Sequence, residues 1–483
     1  MVVLPTALGK TYIAMLLIAE KMEQTNGFCL FLAPTKPLCE QHLERFHKYL
    51  EANAKIVTGE LYKPEDRWAV WNSPTDVFVA TPQTVSRDLE QDRLGLKNCF
   101  LIVYDEAHRA VGGYAYVPIN QTYFETAKNP QILGLTASPG KDFEKLKEIA
   151  ENLKLTNISI RKETDEDVKP YVGQKNLQKI ELEKSEAISR AESLIDDMTD
   201  HVIDEGRLLS FTDAPYLDSS NASIKHLKKI RQRIQRRLKK VKRGFLYRSI
   251  SMVAAALKLV HLKGIATTQG PEVALAYIEK LRKDDTRAAD RILNYRRFHE
   301  IVSNLRRAEN PKLKKTVKIL DEHFLFNKGR AIVFANYRDT VKFLEEELNK
   351  HSFIDAKQFI GQRGSEGMSQ KEQKETLHRF EKGEFNTLVS TSIGEEGIDI
   401  PATSLVIFYE PVPRDIRRIQ REGRTARDGR SGEIKVLVMR DTKDEWSYEK
   451  SMEDGGKKYE AAYKLKRRLD LKRFWAGLEF GED

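Results

Sequence analysis

A chain of 483 residues is too long for one core and calls for two or three domains. Hydrophobic residues, at 40%, suffice for packed interiors, so a disordered chain is excluded. Charged residues reach 32% with a net charge of +10, which favours a polyanionic partner, either nucleic acid or an acidic membrane face.

No signal sequence opens the chain, and no apolar run approaches the ~20 residues that span a bilayer, so no membrane partner is expected. At the start, Leu4-Pro5-Thr6-Ala7-Leu8-Gly9-Lys10-Thr11 follows a short apolar run and opens a helix predicted over Tyr12 to Met22. Gly-Lys-Thr at a strand-to-helix turn is a phosphate loop. Thr6, Leu8 and Gly9 lend backbone, Lys10 reaches the β and γ phosphates, and the Thr11 hydroxyl is a metal ligand for Mg²⁺.

Short apolar runs follow at Phe28 to Leu32, Val77 to Ala80, Phe100 to Tyr104 and Ile132 to Leu135, with helical patterns between them. That rhythm predicts βα units and a parallel sheet buried on both faces. Cys29 and Cys99 lie in apolar runs and read as core thiols. With Cys39 they have neither metal nor redox spacing, so no disulfide is expected and a reducing cytosol fits. Asp105-Glu106-Ala107-His108 follows the run Phe100 to Tyr104, so Asp105 emerges at a strand's carboxyl end, where α/β folds bind ligands. An isolated Asp-Glu also suits a helix N-terminus, where the dipole favours carboxylates. Behind a phosphate loop, the pair reads as Asp105 holding Mg²⁺ and Glu106 polarising the attacking water.

Asn157 to Lys184 reads as a connector that supplies an extra strand. From about Ser185 to Ala308 there is no strand run. Ile224, Leu227, Ile230, Ile234, Leu238, Val241 and Phe245 recur every three or four residues, one face of a single helix, with Asn221 and Ser223 as caps. A second apolar helix is predicted from about Ser251 to Leu262. Gln269-Gly270-Pro271 then breaks the chain before a helix carrying Val273, Ala276, Tyr277 and Leu281. Between Asn221 and Ile250 stand twelve Lys or Arg residues and no acid, so the remaining chain is near −2. Solvated helix faces usually mix signs. An acid-free run reads as a phosphate-binding surface, here including Arg233, Arg236, Arg237 and Lys240.

The α/β rhythm returns at Ala331 to Ala335, Thr387 to Thr391, Leu405 to Tyr409 and Ile434 to Met439. In Gln420-Arg421-Glu422-Gly423-Arg424-Thr425-Ala426-Arg427, Arg424 and Arg427 are three apart and share a helix face. They can act as arginine fingers on the charge developing at a γ-phosphate. A solvated basic helix is the alternative, and it fits Arg414, Arg417 and Arg418 equally well.

In order and spacing these motifs resemble superfamily 2 helicases. Thr6 to Thr11 is similar to motif I, Ala33-Pro34-Thr35-Lys36-Pro37-Leu38 to Ia, and Thr81-Pro82-Gln83-Thr84 to Ib. Asp105 to His108 is similar to II, Thr136-Ala137-Ser138 to III, Val333 to Arg338 to IV, Ser390 to Asp399 to V, and Gln420 to Arg427 to VI. Asp105 to Gly112, Gly394-Glu395-Glu396-Gly397, Phe408-Tyr409-Glu410-Pro411-Val412-Pro413 and the insertion running into Thr268-Gln269-Gly270 resemble the archaeal Hef helicases of the FANCM family, over nearly the whole chain. The resemblance implies an α/β fold of two RecA-like parallel-sheet domains, at 1–180 and 309–483, with an all-α thumb-like insertion at 181–308. It implies ATP with Mg²⁺, catalytic roles for Glu106, Gln420, Arg424 and Arg427, and contact of Gly397 and Asp399 with ATP or with motif VI. Thr35, Lys36, Thr81 and Thr391 would hold the phosphate backbone of the tracking strand. Taken singly, each threonine also reads as a plain helix cap.

Compared with that family, Met1 adjoins the phosphate loop, so an N-terminal clipping that removes a strand and a Gln-bearing adenine contact is expected. Ala7 stands where motif I has Gly; at φ > 0, Ala would cost about 1 kcal/mol. Glu422 and Ala426 replace usual residues of motif VI, and no acidic nuclease cluster precedes Asp483, so no nuclease activity is expected. The expected function is an ATP-dependent DNA helicase or translocase on branched DNA such as stalled forks or junctions in repair. It would be cytoplasmic and nucleoid-associated, with a nuclease or a sliding clamp as candidate partner. One alternative is an RNA-stimulated ATPase of the Dicer or RIG-I-like group, which shares the insertion, although no double-stranded RNA module is recognisable. Another is an ATP-binding scaffold with little turnover. Ala7 and the late start favour the scaffold; the intact Lys10, Thr11, Asp105, Glu106, Arg424 and Arg427 oppose it.

Overall fold

The computed structural model describes residues 1–483 apart from 7, 141, 172–174, 242, 327–328, 363–366, 392–400, 402, 412–431, 458 and 480–483. Among the described residues, the first sheet has strands β1 (Val2–Val3), β2 (Phe28–Leu32), β3 (Ala54–Val57), β4 (Val77–Ala80), β5 (Cys99–Tyr104), β6 (Ile132–Thr136) and β7 (Ser159–Ile160). Their order is β3-β4-β2-β5-β6-β1-β7, with every pairing parallel. Helices α1 (Lys10–Gln24), α2 (Lys36–Tyr49), α3 (Pro64–Trp71), α4 (Pro82–Glu90), α5 (Tyr116–Thr126) and α6 (Phe143–Asn152) connect them. Parallel strands with helices on both faces must be apolar throughout, and every residue of β4 and β5 is buried. Alternate residues serve opposite faces. Phe31, Val79, Leu101 and Val103 pack with α1 and α2, while Leu30, Leu32, Ile102 and Tyr104 pack with α5 and α6.

The insertion consists of α7 (Glu186–Glu205), α8 (Ile224–Lys240), α9 (Gly244–Thr268), α10 (Pro271–Arg282), α11 (Arg287–Leu293) and α12 (Phe298–Arg307). The single helix expected through Phe245 is two. Leu227, Ile230 and Ile234 of α8 are buried and Ser223 caps it through the His226 N–H at 3.1 Å, but Val241 is extended and 47% exposed, and Phe245 is 49% exposed. The extended backbone of Val241 ends α8 at Lys240, and a new helix starts at Gly244. The second apolar helix is correspondingly longer than expected. At 25 residues α9 is long and apolar enough to cross a membrane, which the sequence reading missed. Its apolar residues face several neighbours because α7, α8, α10 and α11 pack around it, so it reads as the core helix of this bundle.

The second lobe contains β8 (Lys175–Leu182), α13 (Pro311–Phe326), β9 (Ala331–Phe334), α14 (Arg338–Leu348), β10 (Ala356–Phe359), α15 (Gln370–Lys382), β11 (Thr387–Ser390), β12 (Leu405–Phe408), β13 (Gly432–Met439), α16 (Lys443–Lys457) and α17 (Glu460–Glu479). Among the described residues its strand order is β10-β11-β9-β12-β13-β8, all parallel. The boundary expected at 180/181 falls inside β8, which pairs along its full length with β13 and covers an otherwise open edge. Helix α17, grouped with the second domain by sequence, packs on the first. Ala461, Ala462 and Leu465 join the core beneath α6, and Lys464 lies 4.6 Å from the Phe143 ring centroid.

The insertion rejoins the second lobe through buried polar groups. Lys312, 1% exposed, donates to the Asp444 carboxylate at 2.5 Å and to the Thr268 carbonyl at 2.9 Å. Burial pushes the Asp444 carboxyl above its usual range, and the Lys312 ammonium only partly offsets this. Gln269 accepts from the Thr340 hydroxyl at 2.8 Å, and its carbonyl accepts from Tyr409 at 3.0 Å. Removing one partner of a buried pair strands the other, so Lys312→Met is expected to cost about 3–5 kcal/mol. The urea midpoint checks this: it should fall in the single variant and largely recover in Lys312→Met/Asp444→Leu.

Candidate ATP site and nucleic-acid interface

Strand β1 places the phosphate loop. Wedged between β6 and β7, it delivers Leu4, whose N–H donates to the Thr136 carbonyl at 3.1 Å, to the carboxyl edge of the sheet. Gly9 then takes φ 85°, ψ 21° and starts α1, turning the first N–H groups of the helix toward the loop. A Cβ on Gly9 would meet only Tyr12 Cδ2 at 3.8 Å, so glycine is required here by backbone conformation and not by space. Lys10 Nζ donates to the Leu4 and Pro5 carbonyls, both at 3.1 Å. Burial pushes its ammonium below the usual lysine range, and the nearby Glu106 and Asp105 charges pull it back up. Such a cation suits an incoming polyphosphate. Thr11 is buried, and Arg45 of α2 donates to its Oγ1 at 3.3 Å. Ala7, between Thr6 and Leu8, lies outside the described residues.

Asp105 leaves β5 with its N–H on the Leu32 carbonyl at 2.9 Å. Its two carboxylate oxygens are separately engaged: Oδ2 by His42 Nε2 at 3.0 Å, Oδ1 by the Glu106 N–H at 3.0 Å. Burial alone would push this carboxyl up. The His42 hydrogen bond, with the charge of Lys10 and the Glu106 N–H, outweighs burial and holds it below the usual carboxylate range. The Asp105 carbonyl accepts from the Tyr116 hydroxyl at 2.6 Å. Glu106 sits at φ 49°, a left-handed conformation that costs a non-glycine residue roughly 1–3 kcal/mol and is stored where function requires it. Its carboxylate lies 3.2 Å from His108 Nδ1, which is also 3.1 Å from Thr136 Oγ1. The Ser138 N–H donates to that same Oγ1 at 3.2 Å. The segments resembling motifs II and III therefore share one hydrogen-bonded chain at the carboxyl ends of β5 and β6.

The structure brings Gly9, Lys10, Thr11, Asp105 and Glu106 to one sheet edge. Gly397, Asp399, Gln420, Arg424 and Arg427 lie outside the described residues, as do Glu422 and Ala426. Sequence reading missed His42, Arg45 and Tyr116. His42 and Arg45 are three apart on α2, a shared face that could have been flagged, but no sequence signal says which acid or hydroxyl that face meets.

The proposed tracking-strand residues also lie at strand ends. Thr35 follows β2 and Thr81 follows β4; each stands at the N-cap of its helix, yet neither side chain caps it. Thr35 Oγ1 is buried without a hydrogen-bond partner, and Thr81 Oγ1 bonds Thr84 Oγ1 at 2.9 Å. Lys36 pairs with Glu60 at 2.8 Å. Thr391 follows β11, buried, with its N–H on the Phe359 carbonyl. On α8, Arg233, Arg236, Arg237 and Lys240 are all exposed, but Arg233 pairs with Asp213 at 2.5 Å and Arg237 lies 5.0 Å from the Phe211 ring centroid. The surface is basic, with two of its four chosen cations already engaged.

Comparison with known proteins fits this geometry. Residues 1–146 match the DEAD/DEAH box helicase family, and residues 312–429 match the helicase conserved C-terminal domain. The crystal structure of the Pyrococcus furiosus Hef helicase domain superposes with a TM-score of 0.72 at 38% identity, over 93% of this chain and 94% of that one. A Methanocaldococcus jannaschii protein, provisionally named an ATP-dependent RNA helicase, is 39% identical over 93% of this chain and 57% of its own length. The ATP-dependent DNA helicase MPH1 of Pyricularia oryzae is 33% identical over 96% of this chain and 44% of its own. The chain thus spans about half the length of these curated relatives. It belongs to the superfamily 2 ATP-dependent helicases, in the Hef/FANCM group.

Because Gly9 is needed for its backbone alone, Gly9→Ala should leave the fold intact and weaken nucleotide binding. An alanine that relaxes out of the left-handed region in the free protein must regain it to bind nucleotide, at roughly 1–2 kcal/mol or about tenfold in affinity. Titration with a fluorescent ATP analogue should show that loss alongside an unchanged circular dichroism spectrum.

Proposed function

We propose that this chain hydrolyses ATP to move along DNA, and that its substrate is branched DNA such as a fork or junction under repair. What supports the first part is the cluster of half-buried Lys10, buried Asp105 and half-buried Glu106 at one sheet edge, a cation and two acids gathered behind a phosphate loop. In this reading Lys10 and the N–H groups around Gly9 bind the β and γ phosphates. Glu106 takes a proton from the attacking water. Arg424 and Arg427, with Gln420, meet the charge that develops on the γ-phosphate when the lobes close, while Gly397 and Asp399 relay the nucleotide state. Thr6 and Leu8 complete the loop. Thr11 and Asp105 would hold Mg²⁺, which when bound with ATP neutralises phosphate charge. The fit is sound: a buried hydroxyl and an ionised carboxylate are hard oxygen donors, few enough to leave places for phosphate and water.

The branched-DNA part rests on α8. The strand ends at Thr35, Lys36, Thr81 and Thr391 suit one strand, gripped through its backbone without reading sequence. The acid-free cations of α8 suit a second arm. A separate nuclease or a sliding clamp working at forks is the class of partner this reading calls for, and the nucleoid is where it would act. The M. jannaschii relative's name keeps an RNA substrate as the second reading.

Steady-state hydrolysis tests the motor. Lys10→Ala and Glu106→Gln should abolish turnover, and Arg424→Ala should lower it by about 10³-fold or more. Glu106→Gln should still bind ATP, because Lys10 and Asp105 remain. Near-normal turnover in any of the three would remove that residue from its role.

Replacing Arg233, Arg236, Arg237 and Lys240 together by Gln tests the second arm. Each lost phosphate contact removes about 0.7 to 0.9 from the salt slope of binding. Fork affinity should fall more than single-strand affinity, with basal hydrolysis unchanged. Unchanged affinity and salt slope on both DNAs would make α8 an ordinary solvated face, and equal losses on both would leave it a DNA contact with no preference for a second arm.

A further inference from the structure

Helix α2 reaches the phosphate loop's Thr11, Asp105 and a proposed tracking-strand contact. Its N-terminus carries Thr35, whose buried hydroxyl has no hydrogen-bond partner, and Lys36. Six residues beyond Lys36, His42 Nε2 meets Asp105 Oδ2 at 3.0 Å; nine beyond, Arg45 meets Thr11 Oγ1 at 3.3 Å. Between them Glu40 pairs with Lys374 of α15 in the second lobe. One helix therefore touches both side chains assigned to Mg²⁺, the proposed tracking-strand contacts, and the opposite lobe.

His42 is built for a single bond. It is 4% exposed, its ring lies 4.5 Å from that of Phe31, and its Nδ1 is buried without a partner. A histidine that only filled the core would be replaceable by an apolar ring. This one spends its only hydrogen bond on one oxygen of Asp105 and leaves the other to the Glu106 N–H, which fixes the plane of the carboxylate. Arg45 likewise directs the Thr11 hydroxyl. Groups that orient metal ligands without touching the metal commonly set metal affinity.

We propose that α2 couples nucleic-acid contact to the Mg²⁺–nucleotide site, with His42 and Arg45 as positioning residues that orient Asp105 and Thr11. A phosphate drawn to Thr35 and Lys36 shifts the N-terminus of a stiff helix, and His42 and Arg45 move with it. Binding linkage is reciprocal, so DNA that tightens Mg²⁺–nucleotide binding is itself bound more tightly, by the same factor, when that nucleotide is present. The inference rests on the ATP-motor reading above and adds how DNA reaches the ATP site.

The test needs no hydrolysis. A fluorescent ADP analogue is titrated onto the full chain in EDTA, then with increasing Mg²⁺, with and without single-stranded DNA. His42→Phe keeps the aromatic packing and loses the bond. It should bind the analogue in EDTA as the unaltered protein does, need about 10- to 100-fold more Mg²⁺ for tight binding, and lose the DNA effect on that requirement. His42→Gln, whose Nε2 can donate in the same place, should recover most of both. Arg45→Met should raise the Mg²⁺ requirement even if His42→Phe does not fold. Unaltered Mg²⁺ and DNA responses in His42→Phe, or in Arg45→Met where only that variant folds, would overturn the proposal. If the unaltered protein itself bound the analogue without any Mg²⁺ or DNA dependence, the motor reading would fall first and this inference with it.

Discussion

An ionised carboxylate inside a protein must be held by hydrogen bonds and opposite charge, and the first lobe is arranged around one. Asp105 is 7% exposed and still sits below the usual carboxylate range. His42, Lys10 and the Glu106 N–H together outweigh burial there, and they come from three separate segments that meet at one strand end. The parallel sheet delivers them together at its carboxyl edge. The loop after β1 brings Lys10, the helix after β2 brings His42, and β5 brings Asp105 itself. The left-handed backbone at Glu106 follows, because the turn off β5 must point its N–H back at Asp105 while sending its own carboxylate toward His108.

The same economy governs the links between parts. The insertion meets the second lobe through a joint of buried polar groups. Lys312 and Asp444 tie the end of α9 to the start of α16, and Gln269 is held from both sides by Thr340 and Tyr409. Such pairs add little net stability over an apolar joint, but they fix one geometry because any other strands a charge. Helix α17 runs from the second lobe back onto α6, so the first lobe's core is completed by the far end of the chain.

Much of this was legible in the sequence, for physical reasons. Buried parallel strands must be apolar along their length, so runs such as Phe100 to Tyr104 announce themselves. Phosphate chemistry needs Gly-Lys-Thr at a turn and acids at a strand end, so Lys10, Thr11, Asp105 and Glu106 could be chosen in advance. Strand β1 is two residues long and carried no signal beyond the loop it feeds. Strand β8 has only Leu177, Ile180 and Leu182 among polar residues, without a clean period of two, and sits at a sheet edge, so sequence order alone assigned it to the wrong lobe. Periodicity ran straight through Val241, because the spacing of apolar residues does not register a single extended residue between two helices. His42 and Arg45 were invisible for a different reason: their partners lie 63 and 34 residues away, and only the fold brings them together.

The central claim is that a buried ATP site in the first lobe is driven by DNA, with a second arm of that DNA held on the insertion. The most direct measurement is the rate of ATP hydrolysis with single-stranded DNA, forked DNA, a four-way junction and duplex RNA side by side. The account predicts stimulation by every DNA, strongest with the fork or junction, and little by RNA. Stimulation by duplex RNA above all DNAs, or a rate indifferent to nucleic acid, would contradict it.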